Sequence, residues 1–209
     1  MVRVKYHFVP RQEVVWCTET DTIKEAAQKM NESGYRCIPV LTTDGKKFIG
    51  LVYKVNTLEY ICEQNGSADD NIQQIIRDSQ AYLFERDSFF RAFYTIRRLP
   101  FLAVVNDFHE FVGILTHSNV FDVIEDSFGM NTGGYTITLA THDKKGTIKE
   151  LGTILKMYNI GGLLTLDNGD QYVRRIIVNI TDELDDEELE KLITKLEKKD
   201  FRVSRVDRM

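Results

Sequence analysis

The chain has 209 residues, of which 43% are hydrophobic and 28% are charged, and its formal net charge is −5 at pH 7. This length is sufficient for one large domain or two small ones with a stable core, and the negative charge argues against broad binding to nucleic acid or to an anionic membrane. The sequence contains neither a signal-peptide pattern nor a membrane-spanning apolar run, and Cys17, Cys37 and Cys62 form no disulfide-framework or zinc motif. We therefore expect free thiols and a cytoplasmic location.

The segment 8–64 has the pattern of a β-α-β-β-α unit. A short apolar strand is predicted at 14–17, followed by a helix with Thr20 or Asp21 as its N-cap and Gly34 beyond its end. Four apolar residues at helical spacing form the buried face of that helix: Ile23, Ala26, Ala27 and Met30. The remaining elements are two buried strands and a closing helix, at 37–42, 48–53 and 55–64.

The segment 65–128 repeats this order after a polar bridge that carries a short helix with Ile72, Ile75 and Ile76. Its predicted elements are a strand, a helix, two strands and a final helix, at 81–84, 86–96, 101–105, 111–116 and 118–128. Two tandem copies of one α/β unit therefore account for most of the first 128 residues.

Each copy contains a related heptapeptide, GLVYKVN at 50–56 and GILTHSN at 113–119. Both begin with glycine, and we interpret that glycine as a place where a flat ring approaches the strand backbone. In the second copy, the Thr116 hydroxyl and the free N–H groups of the following helix would bind a phosphate, and Asn119 would contact sugar hydroxyls. Simple capping of the helix is the alternative for one copy, whereas two copies in one architecture favour ligand binding.

A glycine-rich segment at 127–135 marks the predicted domain boundary, and the segment 135–209 has the order βαββαβ. The pattern includes an alternating strand at 135–142, a helix at 143–159 and a tight turn at 168–171. The apolar face of the first helix comprises Ile148, Leu151, Ile154 and Leu155. This order predicts a ferredoxin-like sheet with two helices on one face, so the fold class is α/β (α+β).

On these motifs, residues 8–128 resemble a tandem pair of CBS domains, with repeat 1 at 8–64 and repeat 2, preceded by the inter-repeat helix, at 65–128. Residues 135–209 resemble an ACT domain through DKKGTIKELGTIL and the following YNIGG. The domain order is similar to that of bacterial acetoin-utilisation accessory proteins and of CBS proteins that bind cyclic di-AMP.

The resemblance implies that adenosine lies in a cleft between the two repeats. Val15 and Ile38 would sandwich adenine, backbone groups at Val15 and Cys37 would bind its edge, and Arg36 and His117 would face phosphate. The full set of expected nucleotide-binding residues is Glu13, Val15, Cys17, Tyr35, Arg36, Cys37, Ile38, Thr116, His117 and Asn119.

Two further sites are implied. A second cleft between the repeats is interpreted as degenerate or as a secondary pocket, because Tyr53 replaces the threonine of the heptapeptide; its residues are Tyr53, Lys54, Asn56, Arg97 and Arg98. An ACT ligand site is expected at the mouth between strand and helix, with dimerisation alone as the alternative; its residues are Asp143, Gly146, Thr147 and Asn159.

Both heptapeptides end in asparagine where the CBS family usually has aspartate. An aspartate accepts hydrogen bonds from two free ribose hydroxyls, which suits AMP or ATP. An asparagine also donates to an esterified 3′ oxygen without adding charge near a phosphate, which favours cyclic di-AMP.

The leading hypothesis is a regulatory adenine-nucleotide sensor that acts as a homodimer on an unknown target protein. An AMP or ATP sensor and an amino-acid sensor are alternatives. No nucleophile–base pair, metal cluster or Walker-type loop is visible, so we expect no enzymatic activity and no cofactor.

Overall fold

The computed structural model describes residues 3–130, 133–142, 144–167 and 173–209. The chain divides into two compact units, unit 1 from Met1 to Phe121 and unit 2 from Asp122 to Met209. The turn predicted at 168–171 lies outside the described residues. Within those residues, no helix has both the length and the apolarity of a membrane span.

Unit 1 contains two β-α-β-β-α repeats, of which the last helix continues past Phe121 into unit 2. After a two-residue strand, β1 (Val9–Pro10), the elements of repeat 1 are β2 (Cys17–Thr18), α1 (Ile23–Ser33), β3 (Cys37–Leu41), β4 (Phe48–Tyr53) and α2 (Lys54–Cys62). The elements of repeat 2 are β5 (Tyr82–Phe84), α3 (Phe89–Thr95), β6 (Phe101–Val105), β7 (Phe111–Thr116) and α4 (His117–Ser127). The predicted bridging helix is a single 3-10 turn, Ile72–Ile75.

The two sheets of unit 1 have equivalent pairing. One has the order β2-β3-β4, with β2 and β3 parallel, and the other has the order β1-β7-β6-β5. Strand β1 was not predicted, because two residues give no periodicity; it pairs antiparallel with β7 through Val9 and Ile114. In the first sheet, an isolated bridge between Leu51 and Arg77 takes the equivalent position.

Two predictions for repeat 1 were wrong in detail. The N-cap of α1 is Thr22 and not Thr20 or Asp21, because Thr22 and Glu25 form a reciprocal capping box. Asp21 instead accepts from the Thr18 hydroxyl, at 2.6 Å, and pairs with Lys29. Strand β2 begins at Cys17 and not at residue 14, because Pro39 in β3 has no N–H with which to extend the pairing.

The core of repeat 1 lies between its sheet and its helices. The predicted face of α1 is confirmed at Ile23, Ala26 and Met30, which are fully buried. They pack with residues of the strands and of the 3-10 turn: Cys17, Ile38, Val40, Val52, Ile72 and Ile75. A smaller cluster joins the two repeats through Leu41, Ala103 and Phe111.

Unit 2 has the predicted βαββαβ order. Its elements are β8 (Tyr135–His142), α5 (Thr147–Leu155), β9 (Ile160–Asp167), β10 (Val173–Ile180), α6 (Asp186–Glu197) and β11 (Arg202–Arg208). The strand order β11-β8-β10-β9 places the first strand beside the third and the fourth, which is the ferredoxin-like topology. Its core includes Leu151 and Leu155 of α5, whereas Ile148, predicted on the buried face, is 47% exposed.

Candidate functional site

A cavity with a volume of about 270 Å³ lies between the two repeats of unit 1. Its floor is mainly apolar and its rim carries two charged side chains, those of Glu13 and Arg36. The lining residues come from β1, from the segment before β2, and from β3, β6 and β7 with the residues that lead into them: Val9, Glu13, Val14, Val15, Tyr35, Arg36, Cys37, Ile38, Pro39, Pro100, Phe101, Ile114 and Thr116. The cavity therefore contains seven of the ten residues expected to bind nucleotide.

One end of the cavity has unpaired backbone groups because β3 contains a proline. The parallel pattern of β2 and β3 is fixed by the bond from Glu19 N–H to Leu41 C=O, at 2.9 Å. If both strands continued for two more residues toward their N-termini, the same pattern would require the backbone N–H of residue 39 to donate to the Val15 carbonyl. Pro39 has no N–H, so that bond is missing and β2 is shortened. No described residue pairs with either backbone group of Val15.

Repeat 2 supplies the control for this argument. There the residue equivalent to Pro39 is Ala103, and its N–H donates to the Ala81 carbonyl at 2.9 Å. Strand β3 contributes further groups on the same side as Val15. Because Lys54 N–H donates to Arg36 C=O, Cys37 and Tyr53 form a non-hydrogen-bonded pair, and the backbone groups of Cys37 point away from β4.

Next to the cavity, Thr116 and Asn119 cap helix α4 reciprocally; Thr116 lines the cavity, whereas Asn119 does not. Thr116 donates to Asn119 Oδ1 through its N–H, at 3.0 Å, and through its hydroxyl, at 2.8 Å. Asn119 N–H donates back to Thr116 Oγ1 at 3.3 Å. Only an oxygen accepts these bonds, so the amide has its Oδ1 turned toward Thr116 and leaves its Nδ2 as a free donor. Asn119 can therefore cap α4 through its Oδ1 and contact a ligand through its Nδ2 at the same time.

His117 and Ser118 provide donors at the start of α4. The His117 ring donates from Nδ1 to the Pro100 carbonyl, at 3.2 Å, since a carbonyl only accepts. This contact holds the imidazole beside a lining residue of the cavity, although His117 does not itself line it. The backbone N–H groups of His117 and Ser118 have no partner among the described residues. Backbone N–H groups at a helix start are suited to bind an anion.

The interpretation of the heptapeptide glycines was wrong. A Cβ at Gly113 would lie 2.1 Å from the Val9 carbonyl oxygen, and a Cβ at Gly50 would lie 2.7 Å from the Arg77 carbonyl oxygen. The space beside each glycine is thus filled by the chain's own pairing segment and not by a ligand ring. Glycine is required at these positions because β1 lies so close beside β7, and Arg77 so close beside β4, that a side chain would not fit between them.

The two cysteines of the expected site differ in position. Cys17 is fully buried in the core of repeat 1 and does not line the cavity, because β2 turns its side chain toward α1. Cys37 lines the cavity and is 8% exposed. Burial raises the pKa of each thiol to about 12, so both remain protonated at neutral pH.

Six lining residues were missed by the sequence analysis: Val9, Val14, Pro39, Pro100, Phe101 and Ile114. Pro100 and Phe101 occupy in repeat 2 the positions of Arg36 and Cys37 in repeat 1, so the internal repeat itself was a signal for them. Val9 required knowledge of the β1–β7 pairing, which no local pattern provides.

In the second cleft, two of the five expected side chains have hydrogen-bond partners within the chain. The Tyr53 hydroxyl donates to Asp78 Oδ2 at 2.5 Å, and Asn56 Nδ2 donates to Glu59 Oε2 at 3.1 Å. Lys54 is the first residue of α2, and Arg97 and Arg98 lie exposed in the 3-10 turn that follows α3.

The residues of the expected ACT ligand site are not brought together. Gly146 and Thr147 lie at the start of α5, where the Thr147 hydroxyl donates to the Lys144 carbonyl at 2.8 Å. Asn159 follows the other end of this nine-residue helix, whose axis is about 13 Å long. There it donates to Asp182 through both its backbone and its side chain. Asp143 lies outside the described residues.

Comparisons with known proteins identify the class of unit 1. Residues 4–63 match the family model of the CBS domain. A CBS domain-containing protein of unknown function from Bacillus anthracis is similar at 25% identity, with a TM-score of 0.55, over 60% of this chain and 94% of its own. CBS-domain proteins are generally regulatory and not catalytic.

Two further solved structures share the fold. CbpB in complex with c-di-AMP is 19% identical, with a TM-score of 0.53, over 59% of this chain and 84% of its own. CBSX2 of Arabidopsis thaliana, in complex with AMP, is 16% identical, with a TM-score of 0.51, over 59% of this chain and 96% of its own. No match is found among curated proteins. The chain thus combines a unit that is similar to CBS-domain proteins with a further α/β domain of ferredoxin-like topology.

Proposed function

We propose that this protein is a regulatory sensor that binds an adenine nucleotide in the cavity between its CBS repeats, with cyclic di-AMP as the preferred ligand. The observation that carries the proposal is the free Val15 carbonyl beside an apolar slot. The 6-amino group of adenine donates to such a carbonyl. The 6-oxo group of guanine or hypoxanthine would instead place a second acceptor against it. Val15 N–H is then positioned to donate to adenine N1.

The size of the cavity fits one nucleoside. Its volume of about 270 Å³ lies near the lower end of the range for small-molecule sites, roughly 300–1,000 Å³. One adenosine would fill it, and the rest of a larger nucleotide would extend past the rim toward Arg36. Arg36 is exposed and its side chain has no partner among the described residues, so its guanidinium is free to bind a phosphate.

The preference for a cyclic dinucleotide rests on Asn119. Its Oδ1 already accepts two hydrogen bonds from Thr116, so the group that it offers to a ligand is the Nδ2 donor. A donor matches the esterified 3′ oxygen of a 3′,5′-cyclic dinucleotide, which only accepts. AMP and ATP remain the alternative ligands, since their free hydroxyls both accept and donate. CbpB and CBSX2, which share the fold, were solved with c-di-AMP and with AMP.

Signalling would pass through a surface that the ligand changes in a homodimer, with a target protein as its recipient. Unit 2 would act as an ACT-like domain in assembly. Its separated Gly146 and Asn159 give no support to an amino-acid sensor at that mouth. Among the described residues, no group of three His, Cys, Asp or Glu side chains is placed to hold a metal ion.

A thermal-shift panel on the full chain tests the proposal. Cyclic di-AMP and AMP should raise the melting temperature, because a ligand at 100 times its Kd stabilises the native state by about 2.7 kcal/mol. Cyclic di-GMP, IMP and a set of amino acids serve as controls and should leave the melting temperature unchanged. A shift with amino acids and none with adenine nucleotides would reject the proposal in favour of a metabolite sensor.

A further inference from the structure

The two clefts of unit 1 are related by the internal repeat, which allows a group-by-group comparison. Tyr53 pairs with Cys37 in the β3–β4 register, as Thr116 pairs with Phe101 in the β6–β7 register. The next residues, Lys54 and His117, each begin the helix that follows. The second cleft therefore has a counterpart for the Thr116 hydroxyl and for the start of α4, whereas Pro100 takes the position of Arg36.

At the hydroxyl end, the second cleft contains a carboxylate of its own. The Tyr53 hydroxyl donates to Asp78 Oδ2. The backbone of Asp78 has a left-handed conformation, with a φ of 54°. Burial, and then the hydrogen bond to Asp78, raise the pKa of Tyr53, so the phenol remains a donor at neutral pH. The position equivalent to the phosphate end of the first cleft is thus occupied by a negative charge.

The backbone groups of the second cleft are also paired. Lys54 N–H donates to the Arg36 carbonyl at 2.9 Å, whereas His117 N–H has no partner among the described residues. The Ala81 carbonyl accepts from Ala103 N–H, whereas its counterpart in the first cleft, the Val15 carbonyl, has no partner among the described residues. Two differences therefore have the same direction: the His117 N–H and the Val15 carbonyl of the first cleft are free, whereas their counterparts in the second cleft are paired within the chain.

We propose that Asp78 is a specificity-determining residue that excludes anionic ligands from the second cleft, so that each chain binds one nucleotide. A phosphate in this cleft could not accept from the Tyr53 hydroxyl, because that hydroxyl donates to Asp78. The nearby Asp78 carboxylate would also repel the phosphate. Arg97 and Arg98 do not take the place of Arg36, because they lie in the 3-10 turn before β6 and the equivalent position is Pro100. This inference rests on the proposed function of the first cleft.

Hydrogen–deuterium exchange of the full chain with AMP as the probe separates the two clefts. In the wild-type chain, AMP should protect the segments 13–17 and 35–38 and leave 77–82 unchanged, with a calorimetric stoichiometry of one AMP per chain. The double variant Tyr53→Thr, Asp78→Asn should gain protection at 77–82 and a second, weaker AMP. Adding Ala103→Pro, which frees the Ala81 carbonyl as Pro39 frees that of Val15, should strengthen this second site further.

Asp69→Asn is the matched control, since Asp69 is an exposed acid of the loop between the repeats and its loss should leave one AMP per chain. Protection at 77–82 in the wild-type chain, or a double variant that folds and still binds a single AMP, would overturn the role of Asp78. Absence of protection at 13–17 and 35–38 would instead reject the proposed function of the first cleft. Absence of protection at both clefts in every variant would overturn both.

Discussion

Arg36 is the residue whose side chain is most available to a ligand at the rim of the cavity. It is exposed and has no hydrogen bond or ion pair to any described residue, so its removal should not affect the folded state. Arg36→Ala should weaken nucleotide binding by about 1.5–3 kcal/mol, the range for a charged hydrogen bond, with the melting temperature of the free protein unchanged. His117→Ala should act in the same direction but less strongly, because the ring lies outside the cavity lining.

Calorimetric titration of the variants with AMP measures this effect. Arg91→Ala is a matched control, since Arg91 is an exposed arginine of unit 1 that belongs to neither cleft. Equal affinities for wild type and Arg36→Ala would show that Arg36 is a surface residue without a role in binding.

Asn119 determines which kind of ribose the site prefers. In Asn119→Asp, one carboxylate oxygen keeps both bonds from Thr116, so the cap of α4 is preserved and the negative charge favours the helix start. The outward group changes from a donor to an acceptor. Affinity for cyclic di-AMP should therefore fall by about tenfold, or ~1.4 kcal/mol, while affinity for AMP holds or rises.

Because specificity is a difference between two affinities, both ligands must be titrated against both proteins. Asn119→Ala is the control for the cap: it removes the acceptor for Thr116 and should cost about 1 kcal/mol of stability. Tight binding of AMP by a wild-type chain that ignores cyclic di-AMP would contradict the argument from Asn119 and leave a mononucleotide sensor.

At the level of elements, the proline in β3 determines the shape of the first cleft. Pro39→Ala restores an N–H that is positioned to donate to the Val15 carbonyl, as Ala103 donates to Ala81. The new bond should lengthen β2, leave stability equal or raised by about 1 kcal/mol, and lower AMP affinity by about tenfold because the carbonyl is no longer free. Titration and thermal melting of one preparation test both effects.

Pro100→Ala is the control for this substitution. Pro100 also lines the cavity, but it leads into β6 and keeps its carbonyl bond to His117 when replaced. If Pro39→Ala and Pro100→Ala bind AMP as tightly as wild type does, the free Val15 carbonyl is not a determinant of affinity.

The same elements show how far the sequence alone can predict this protein. Strands at 101–105 and 111–116 were predicted to the residue, because buried strands have continuous or alternating apolar patterns bounded by turns. Strand β2 was predicted too long and β1 was missed, since both depend on long-range pairing: one lacks a donor at Pro39 and the other requires β7. Local patterns contain neither fact.

The candidate site shows the same division. Repetition of the heptapeptide identified Thr116, and the resemblance to tandem CBS domains implied Arg36 and Cys37, which line the same cavity. Cys17 was misplaced because the direction of its side chain follows from the register of β2. The ACT residues were grouped by their order in the sequence, whereas α5 separates Asn159 from Gly146.

For the whole molecule, large exposed apolar side chains on α2 and α3 indicate surfaces that are covered in an assembly. They are Val55, Leu58, Phe90 and Tyr94, with exposed fractions from 56% to 83%. We predict a homodimer or a larger even oligomer at micromolar concentration, because large apolar side chains that are this exposed are stabilised when a partner subunit covers them. Light scattering checks this, and a monomeric mass would contradict it.

The two units should also be separable in function. Removal of residues 129–209 leaves α4 and the whole cavity in place, so AMP affinity should remain within about threefold of the full chain, less than 1 kcal/mol. A truncated chain that folds by circular dichroism and has lost AMP binding would show that unit 2 contributes to the site.

The central claim is that the free Val15 carbonyl selects an adenine base, and a paired calorimetric titration of the wild-type full chain with AMP and IMP tests it most directly. The two ligands differ at two adjacent positions of the purine: position 6 is a donor in AMP and an acceptor in IMP, and N1 accepts in AMP but carries a proton in IMP. We predict that AMP binds at least about tenfold more tightly than IMP, a difference of ~1.4 kcal/mol. Equal affinities, or no binding of either ligand, would contradict the claim.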